Sequence, residues 1–327
     1  MPAETAGPAT YQRAPTALPG DMTLPVGPPL VTVVIATRDR PRLLRRAVQS
    51  VLAQDLPGSL EIVLVYDGGT PDPLDDVDAG RHRIRAIANA RTPGLAGARN
   101  TGIAAAGAPL VAFCDDDDEW RPEKLSRQLP LLADGRAVIA ATGIEIRSSG
   151  GSHTRVPPAR VAFDDLLRSR ITELHPSSFV LRAADLRGRL GLVDEELPAS
   201  YGEDYDLLLR AAKLGDIVAV PEPLTVVHWD RTSFFAERWQ GIAAGLGYLL
   251  GKHPEFARTG VGQARVEGQI AFAHGALGAR AAARAWAARA IRHDPRQPRA
   301  YLALLVGLRM LSGPRVVQTL NAYGRGL

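Results

Sequence analysis

Between residues 30 and 128, short β-branched apolar runs alternate with segments of helical period, and few folds accept that order. LVTVVIAT (30–37) is almost continuously apolar, as a strand buried on both faces requires. PRLLRRAVQSVLAQ (41–54) sets Leu43, Leu44, Ala47, Val48, Val51 and Leu52 on one helical face, behind a proline suited to a first helical turn. EIVLVY (61–66) reads as a second strand closed by the turn-rich DGGTPDP, RIRAIA (83–88) as a third and LVAFC (110–114) as a fourth. Helices are expected over about 95–106 and from RPEKLSRQLPLL. This alternation predicts an α/β fold with a Rossmann-like, mostly parallel sheet flanked by helices, whose ligands lie beyond the carboxyl ends of the strands. Thr37, Asp67 and Asp115 stand at those ends.

Beyond this region the signal changes. Residues 138–227 mix weaker strands (AVIAATGIEI, SSFVLR, DIVAV) with loops and one clear helix, YDLLLRAAKLG. From about residue 234 the pattern is helical, and ARAAARAWAARAIRHDPRQPRAYLALLVGL has the alanine spacing and DP turn of a single tetratricopeptide-type helix pair. A solenoid needs about three such units, so one pair is read as packing. Residues 1–29 are small, polar and Pro-rich and read as a disordered tail without the basic start and apolar core of a signal peptide. The expected organisation is therefore a tail over 1–29, an α/β domain over 30–230 with halves at 30–128 and 129–230, and a helical extension over 231–327.

Several function classes recede on composition. No apolar run approaches the roughly 18 residues of a membrane-spanning helix. The lone Cys114 excludes an intrachain disulfide and a multi-cysteine zinc site, and a reducing cytoplasm is the simplest compartment. The net charge of +4 is unevenly spread, with arginine dominant from Arg231 onward. Such an excess suits an anionic membrane surface or a plain solvated helical face; without a nucleic-acid motif, no nucleic-acid partner is expected.

Four local patterns bear on chemistry. FCDDDDEW (113–120) places four aspartates directly behind an apolar strand. If the strand geometry continues, Asp115 and Asp117 share a face with Asp116 opposed, which suits Mg²⁺ or Mn²⁺ held with phosphate oxygens; a solvated turn before a helix accounts for the same acids. GEDYDLLLR (202–210) reads either as acidic first-turn residues or as a general base fixed at a helix start with its tip open. TPGLAGARNTGIAAA (92–106) offers backbone N–H groups and Arg99 to an anion but lacks both the Walker and the dinucleotide glycine spacings. His228 follows the apolar LTVV and reads as a structural or a ligating histidine.

Taken in chain order, VTVVIATRDRPRLLRRAVQSVLAQ, EIVLVYDGGT, GLAGARNTGIAAAGAPLVAFCDDDDEWRPEKLSRQ and GLVDEELPASYGEDYDLLLRAAKLG resemble the family 2 glycosyltransferases of GT-A fold over about residues 30–230. The resemblance implies that Asp67 binds the nucleotide base and that Asp115, Asp116 and Asp117 form a DXD motif. In that motif the first acid faces ribose and sugar, and Asp117 binds the metal on the diphosphate. It implies Asp204 as the base of an inverting reaction, Glu203 beside it towards the acceptor, and His228 as a late metal or phosphate contact. Thr37, Arg38 and Arg99 complete the nucleotide side. Two positions depart from the family pattern: Tyr66 replaces an acid and Arg38 an aromatic. The implied activity is metal-dependent, inverting transfer of a sugar from a nucleoside-diphosphate donor, UDP or TDP favoured, to a carbohydrate or glycolipid hydroxyl. Mg²⁺ or Mn²⁺ is the expected cofactor, in polysaccharide or glycoconjugate synthesis at the inner side of a membrane. A sugar nucleotidyltransferase and a non-catalytic nucleotide or carbohydrate binder are the alternatives; pyrophosphate release would mark the first, and donor hydrolysis would exclude the second.

Overall fold

The computed structural model describes residues 27–229, 239–313 and 316, so most of the expected N-terminal tail lies outside the described residues. Along the chain come β1 (Val31–Thr37), α1 (Pro41–Leu52), β2 (Leu60–Tyr66), β3 (Arg83–Ala88), α2 (Leu95–Ala105), β4 (Leu110–Phe113), β5 (Glu119–Trp120) and α3 (Lys124–Gln128). Then follow β6 (Ala137–Ser148), β7 (Gly151–Arg155), β8 (Arg160–Val161), α4 (Phe163–Arg168), β9 (Val180–Arg182), α5 (Ala183–Arg187), α6 (Glu203–Leu214) and β10 (Asp216–His228). Helices α7 (Trp239–Lys252), α8 (Gly260–Ala276), α9 (Arg280–His293) and α10 (Pro298–Gly307) close the described chain.

The strands form one sheet in the order β3-β2-β1-β4-β9-β6-β10-β5, with β7 added to β6 and β8 to β10. Pairing is parallel across β3, β2, β1 and β4, as the alternation predicts, but β9 enters antiparallel to both β4 and β6. The sheet is mostly parallel with antiparallel members: β6 and β10 also pair in parallel, with helices between them in the chain, while β9 lies antiparallel between β4 and β6. The two-residue period of a strand is visible in the core. Val34, Val63, Val65, Val111 and Phe113 pack into one apolar cluster, while Val31, Val33, Ile35, Ile62, Leu64 and Ala112 pack into the other. Burial on both faces explains why these strands read as unbroken apolar runs. Helix α1 lays Leu44, Ala47, Val48 and Val51 into the second cluster.

The helical extension is docked rather than appended. A Cβ at Gly262 of α8 would lie 1.9 Å from the Leu167 carbonyl at the end of α4, so only glycine permits the approach. Buried Asp206 of α6 accepts from Arg210 Nε at 2.8 Å and faces His253 Nε2 at 2.8 Å and Lys252 Nζ at 2.9 Å. Glu267, fully buried in α8, is met by Arg289 at 3.0 Å and His293 at 2.8 Å from α9. No helix among the described residues is long and apolar enough to cross a membrane.

Candidate active site

Strands β1 and β2 end in register at Thr37 and Tyr66, β4 ends opposite Val34, and the chain beyond each leads into the acidic loops. Asp67, the first residue past β2, accepts at one oxygen from Asn89 Nδ2 at 2.9 Å and from the Gly94 backbone N–H at 3.0 Å. Thr101 Oγ1 holds Asn89 from behind at 2.8 Å. The other oxygen of Asp67 faces the exposed Arg38 at 3.7 Å. A carboxylate fixed on one side and open on the other suits recognition of a base N–H. Tyr66 turns its hydroxyl to the Asp72 carbonyl at 3.1 Å.

The four aspartates do not continue the strand. The Asp118 N–H bonds the Asp115 carbonyl at 3.1 Å, closing a turn, so the four carboxyls diverge instead of alternating across two faces. Asp115 receives Arg99 Nη2 at 2.7 Å. Asp116 is buried, accepts from Thr37 Oγ1 at 2.7 Å and from Arg40 at 3.1 Å, and is pushed up to about 6, chiefly by burial. Asp117 accepts from Arg40 at 2.9 Å; burial and then the Asp115 charge raise its pKa. Asp118 is buried under Ser177 Oγ at 2.5 Å, and burial with the neighbouring charges of Asp115 and Asp117 holds it well above the usual carboxylate range. Burial first, and then a neighbouring aspartate's charge, raise Asp116 and Asp117, and a divalent cation beside them would offset that cost.

Among the described residues, the group of three potential ligand atoms within 4.8 Å of one another comprises Asp115, Asp118 and His175. The two residues assigned to the metal from the sequence lie outside that trio: Asp117 is on Arg40, and His228 Nε2 meets Glu119 Oε1 at 2.7 Å, with Arg46 Nε 3.2 Å from the same carboxylate oxygen.

On the acceptor side, the chain turns through Ala199 (φ 57°) and Ser200 (φ 53°) into Gly202 (φ 87°), from which α6 begins. Two consecutive non-glycine residues in the left-handed region mark stored strain beside the acids. Neither acid serves as a side-chain cap: Glu203 pairs with Arg99, and both oxygens of Asp204 accept from Arg170 Nη2, at 2.7 and 2.8 Å. The tip of Asp204 is therefore covered, not open as its place at a helix start suggested; Arg170, from the loop after α4, occupies it. Burial raises Glu203; at Asp204 burial also pulls upward, but the charge and hydrogen bonds of Arg170 together with the Arg99 charge hold it below the usual carboxylate range. Arg99 is buried and bridges the two sides, one arm on Asp115 and the other on Glu203.

Sequence reasoning missed Arg40, Arg170, His175 and Ser177. The first follows the β1 aspartate in TRDRP; the others sit in SRITELHPSS, where only the HP dipeptide before an apolar run marks a turn at a sheet edge.

The family described as Glycosyl transferase family 2 matches residues 32–186. The succinoglycan biosynthesis protein ExoO of Rhizobium meliloti is 30% identical over 211 residues, 59% of this chain and 58% of that protein. The chain spans 31 to 59% of the length of the first curated relatives it matches. Among solved structures, S. aureus TarS in complex with UDP-GlcNAc superposes with a TM-score of 0.56 at 16% identity, covering 90% of this chain and 92% of that one. The mannosyltransferase PcManGT from Pyrobaculum calidifontis, in complex with GDP-Man and Mn²⁺, does so with 0.52 at 19%, covering 91% and 87%. The order of motifs and the family match agree that residues 32–186 carry a family 2 glycosyltransferase domain, and the solved structures share its GT-A-like fold.

Proposed function

We propose that this chain transfers a sugar from a nucleoside-diphosphate sugar to an acceptor hydroxyl with inversion at the sugar carbon, in the synthesis of a polysaccharide or glycoconjugate. The domain bounds expected from the sequence, 30–230 for catalysis and 231–327 for the extension, are retained. The observation that carries the reading is the buried Arg99, which ties Asp115 on the donor side to Glu203 beside Asp204 on the acceptor side. A guanidinium so placed fixes two loops that meet only if donor and acceptor meet.

Asp67 and Arg38 take the base, with UDP or TDP favoured; Thr37 and Asp116 anchor the loop; Asp115 faces ribose and sugar. Asp117 and His228 would hold Mg²⁺ or Mn²⁺, which when bound offsets the charge developing on the leaving diphosphate. Arg40 then loses its claim on Asp117 and keeps Asp116. Asp204 accepts the acceptor's proton, a role that typically contributes 10²–10⁴-fold. That role requires Arg170 to move off its carboxylate. Glu203 positions the acceptor. Relatives named for teichuronic acid and succinoglycan biosynthesis favour a polysaccharide acceptor; the chain is placed in the cytoplasm, where its basic extension can contact the inner face of a membrane.

Calorimetry against UDP, TDP, GDP and CDP, with and without Mn²⁺, tests the donor side: one nucleotide should bind tightly and only with metal. Asp204→Asn should keep that binding and lose most turnover. Normal transfer by the variant, or no nucleotide binding by the native protein, overturns the reading.

A further inference from the structure

Arginines from three parts of the chain converge on the acceptor side of Asp204. Arg170 covers the carboxylate, and its guanidinium carbon lies 5.9 Å from the centre of the Tyr201 ring. Arg265 of α8 donates Nη2 to the Tyr205 hydroxyl at 2.8 Å, with its guanidinium carbon 5.5 Å from that ring's centre. Its Nε is buried and has no hydrogen-bond partner among the described residues. Arg299, in the first turn of α10, is close enough to feel the Arg265 charge. Burial first, then repulsion by Arg170 for Arg265 and by Arg265 for Arg299, draws both below the usual arginine range. Tyr201 and Tyr205 flank Glu203 and Asp204 in sequence, so the cluster faces the acids at the start of α6. Of these acids, Glu203 is already taken by Arg99. Gathering like charges where water is scarce is costly unless an anion is meant to lie among them. The extension from which two of the three come is itself basic: residues 239–313 hold ten Lys and Arg against three Asp and Glu.

We propose that Arg265, with Arg170 and Arg299, forms a subsite for an anionic group of the acceptor, a carboxylate or a phosphate next to the hydroxyl that attacks, and that the helical extension serves to build it. The inference rests on Asp204 being the base. Its consequence is that an anion arriving at Arg265 competes for Arg170 and uncovers Asp204, so the base is released when an acceptor of the right charge is seated. Guanidinium groups suit this task because they bind planar oxyanions with paired N–H donors.

The test titrates glucose, glucuronate and glucose 6-phosphate separately into the full chain saturated with UDP and Mg²⁺. Glucuronate or glucose 6-phosphate should bind at least about tenfold more tightly than glucose, as charge-assisted hydrogen bonds imply. Arg265→Gln should erase the preference while UDP binds as before; Arg299→Gln provides the same readout if Arg265→Gln does not fold. Preference for glucuronate alone assigns a carboxylate, and preference for the phosphate alone assigns a phosphate. Equal binding of all three sugars, no detectable binding of either anion, or a preference that survives both substitutions overturns the proposal. Failure of UDP to bind the native protein would instead overturn the donor reading.

Discussion

Both carboxylate oxygens of Asp204 rest on a single nitrogen of Arg170, at 2.7 and 2.8 Å. Burial alone would raise the pKa of this acid, but the Arg170 charge and hydrogen bonds, with the Arg99 charge behind them, hold it low. Because the folded value lies below the unfolded one, the pair contributes stability above the unfolded pKa of about 4 and loses it as pH falls through the folded value. Arg170→Met should therefore cost roughly 3 kcal/mol at pH 7, the usual penalty for leaving one partner of a buried pair alone. The loss should shrink in acid, and the acid limb of the kcat/KM profile should move to higher pH. Urea denaturation at pH 7 and pH 4 reads the first effect. A penalty independent of pH would refute the linkage.

Asp116 runs the other way. Its pKa is pushed up to about 6 by burial, against the help of Thr37 and Arg40. A raised folded value means that the folded protein holds the proton more tightly, so stability falls as pH climbs from about 4 to about 6. Asp116→Asn, which cannot ionise, should become progressively more stable than the native protein across that window. The gain should reach about 3 kcal/mol for a shift of about two units, and lower for the hydrogen bonds it rearranges. Melting temperatures of the two proteins at pH 4.5 and pH 7.5 measure it, and a constant difference would contradict it.

Asp206 has nothing to do with chemistry in this account, yet it lies two residues from the base. Its carboxylate is buried among Arg210, His253 and Lys252, the last two at the end of α7 and just past it. Asp206→Ala removes the carboxylate these three groups share at the seam between sheet domain and extension, leaving Lys252 with Asp194 and Arg210 with backbone carbonyls. A loss of about 3–5 kcal/mol is expected, as for other broken buried ion networks, read by denaturant unfolding at pH 7. A change under 1 kcal/mol would show that the seam is held by apolar packing alone.

Much of this arrangement is legible along the chain, and what is not has a common cause. Strands β1, β2 and β4 announce themselves because both faces are buried, so Val31–Thr37 and Leu60–Tyr66 need no period to be recognised. The acids at their ends follow from the rule for open sheets. The mixed pairing does not: β9 is three residues long, too short to carry a direction in its sequence. Nor does the fate of the carboxyls. Strand period placed Asp115 and Asp117 on one face, whereas a single backbone bond between Asp118 and Asp115 turns the chain. The arginines that pair with these acids come from 16 to 104 positions away, as with Arg99 on Asp115 and on Glu203, and local pattern is blind to such pairs.

The choice of metal ligands separates these two levels. Spacing and resemblance favour Asp117 and His228, whereas proximity in the structure groups Asp115, Asp118 and His175. Exposure decides between them. The Asp118 side chain is 3% exposed, already bonded to Ser177 and kept from ionising by burial, so it offers a poor oxygen to a hydrated cation. Asp117 is 25% and His228 18% exposed, and each is held by a surface partner, Arg40 or Glu119, that can yield. In the presence of UDP, Asp117→Asn and His228→Ala should each weaken Mn²⁺ by about tenfold or more, the scale seen even for groups that only support a ligand. His175→Ala should leave Mn²⁺ affinity nearly unchanged while loosening the Ser177 turn, and so lower the melting temperature. Mn²⁺ titration by electron paramagnetic resonance distinguishes the sets. Loss of affinity in His175→Ala with none in His228→Ala would move the cation to the inner trio and make the Asp117–Arg40 pair a purely structural contact.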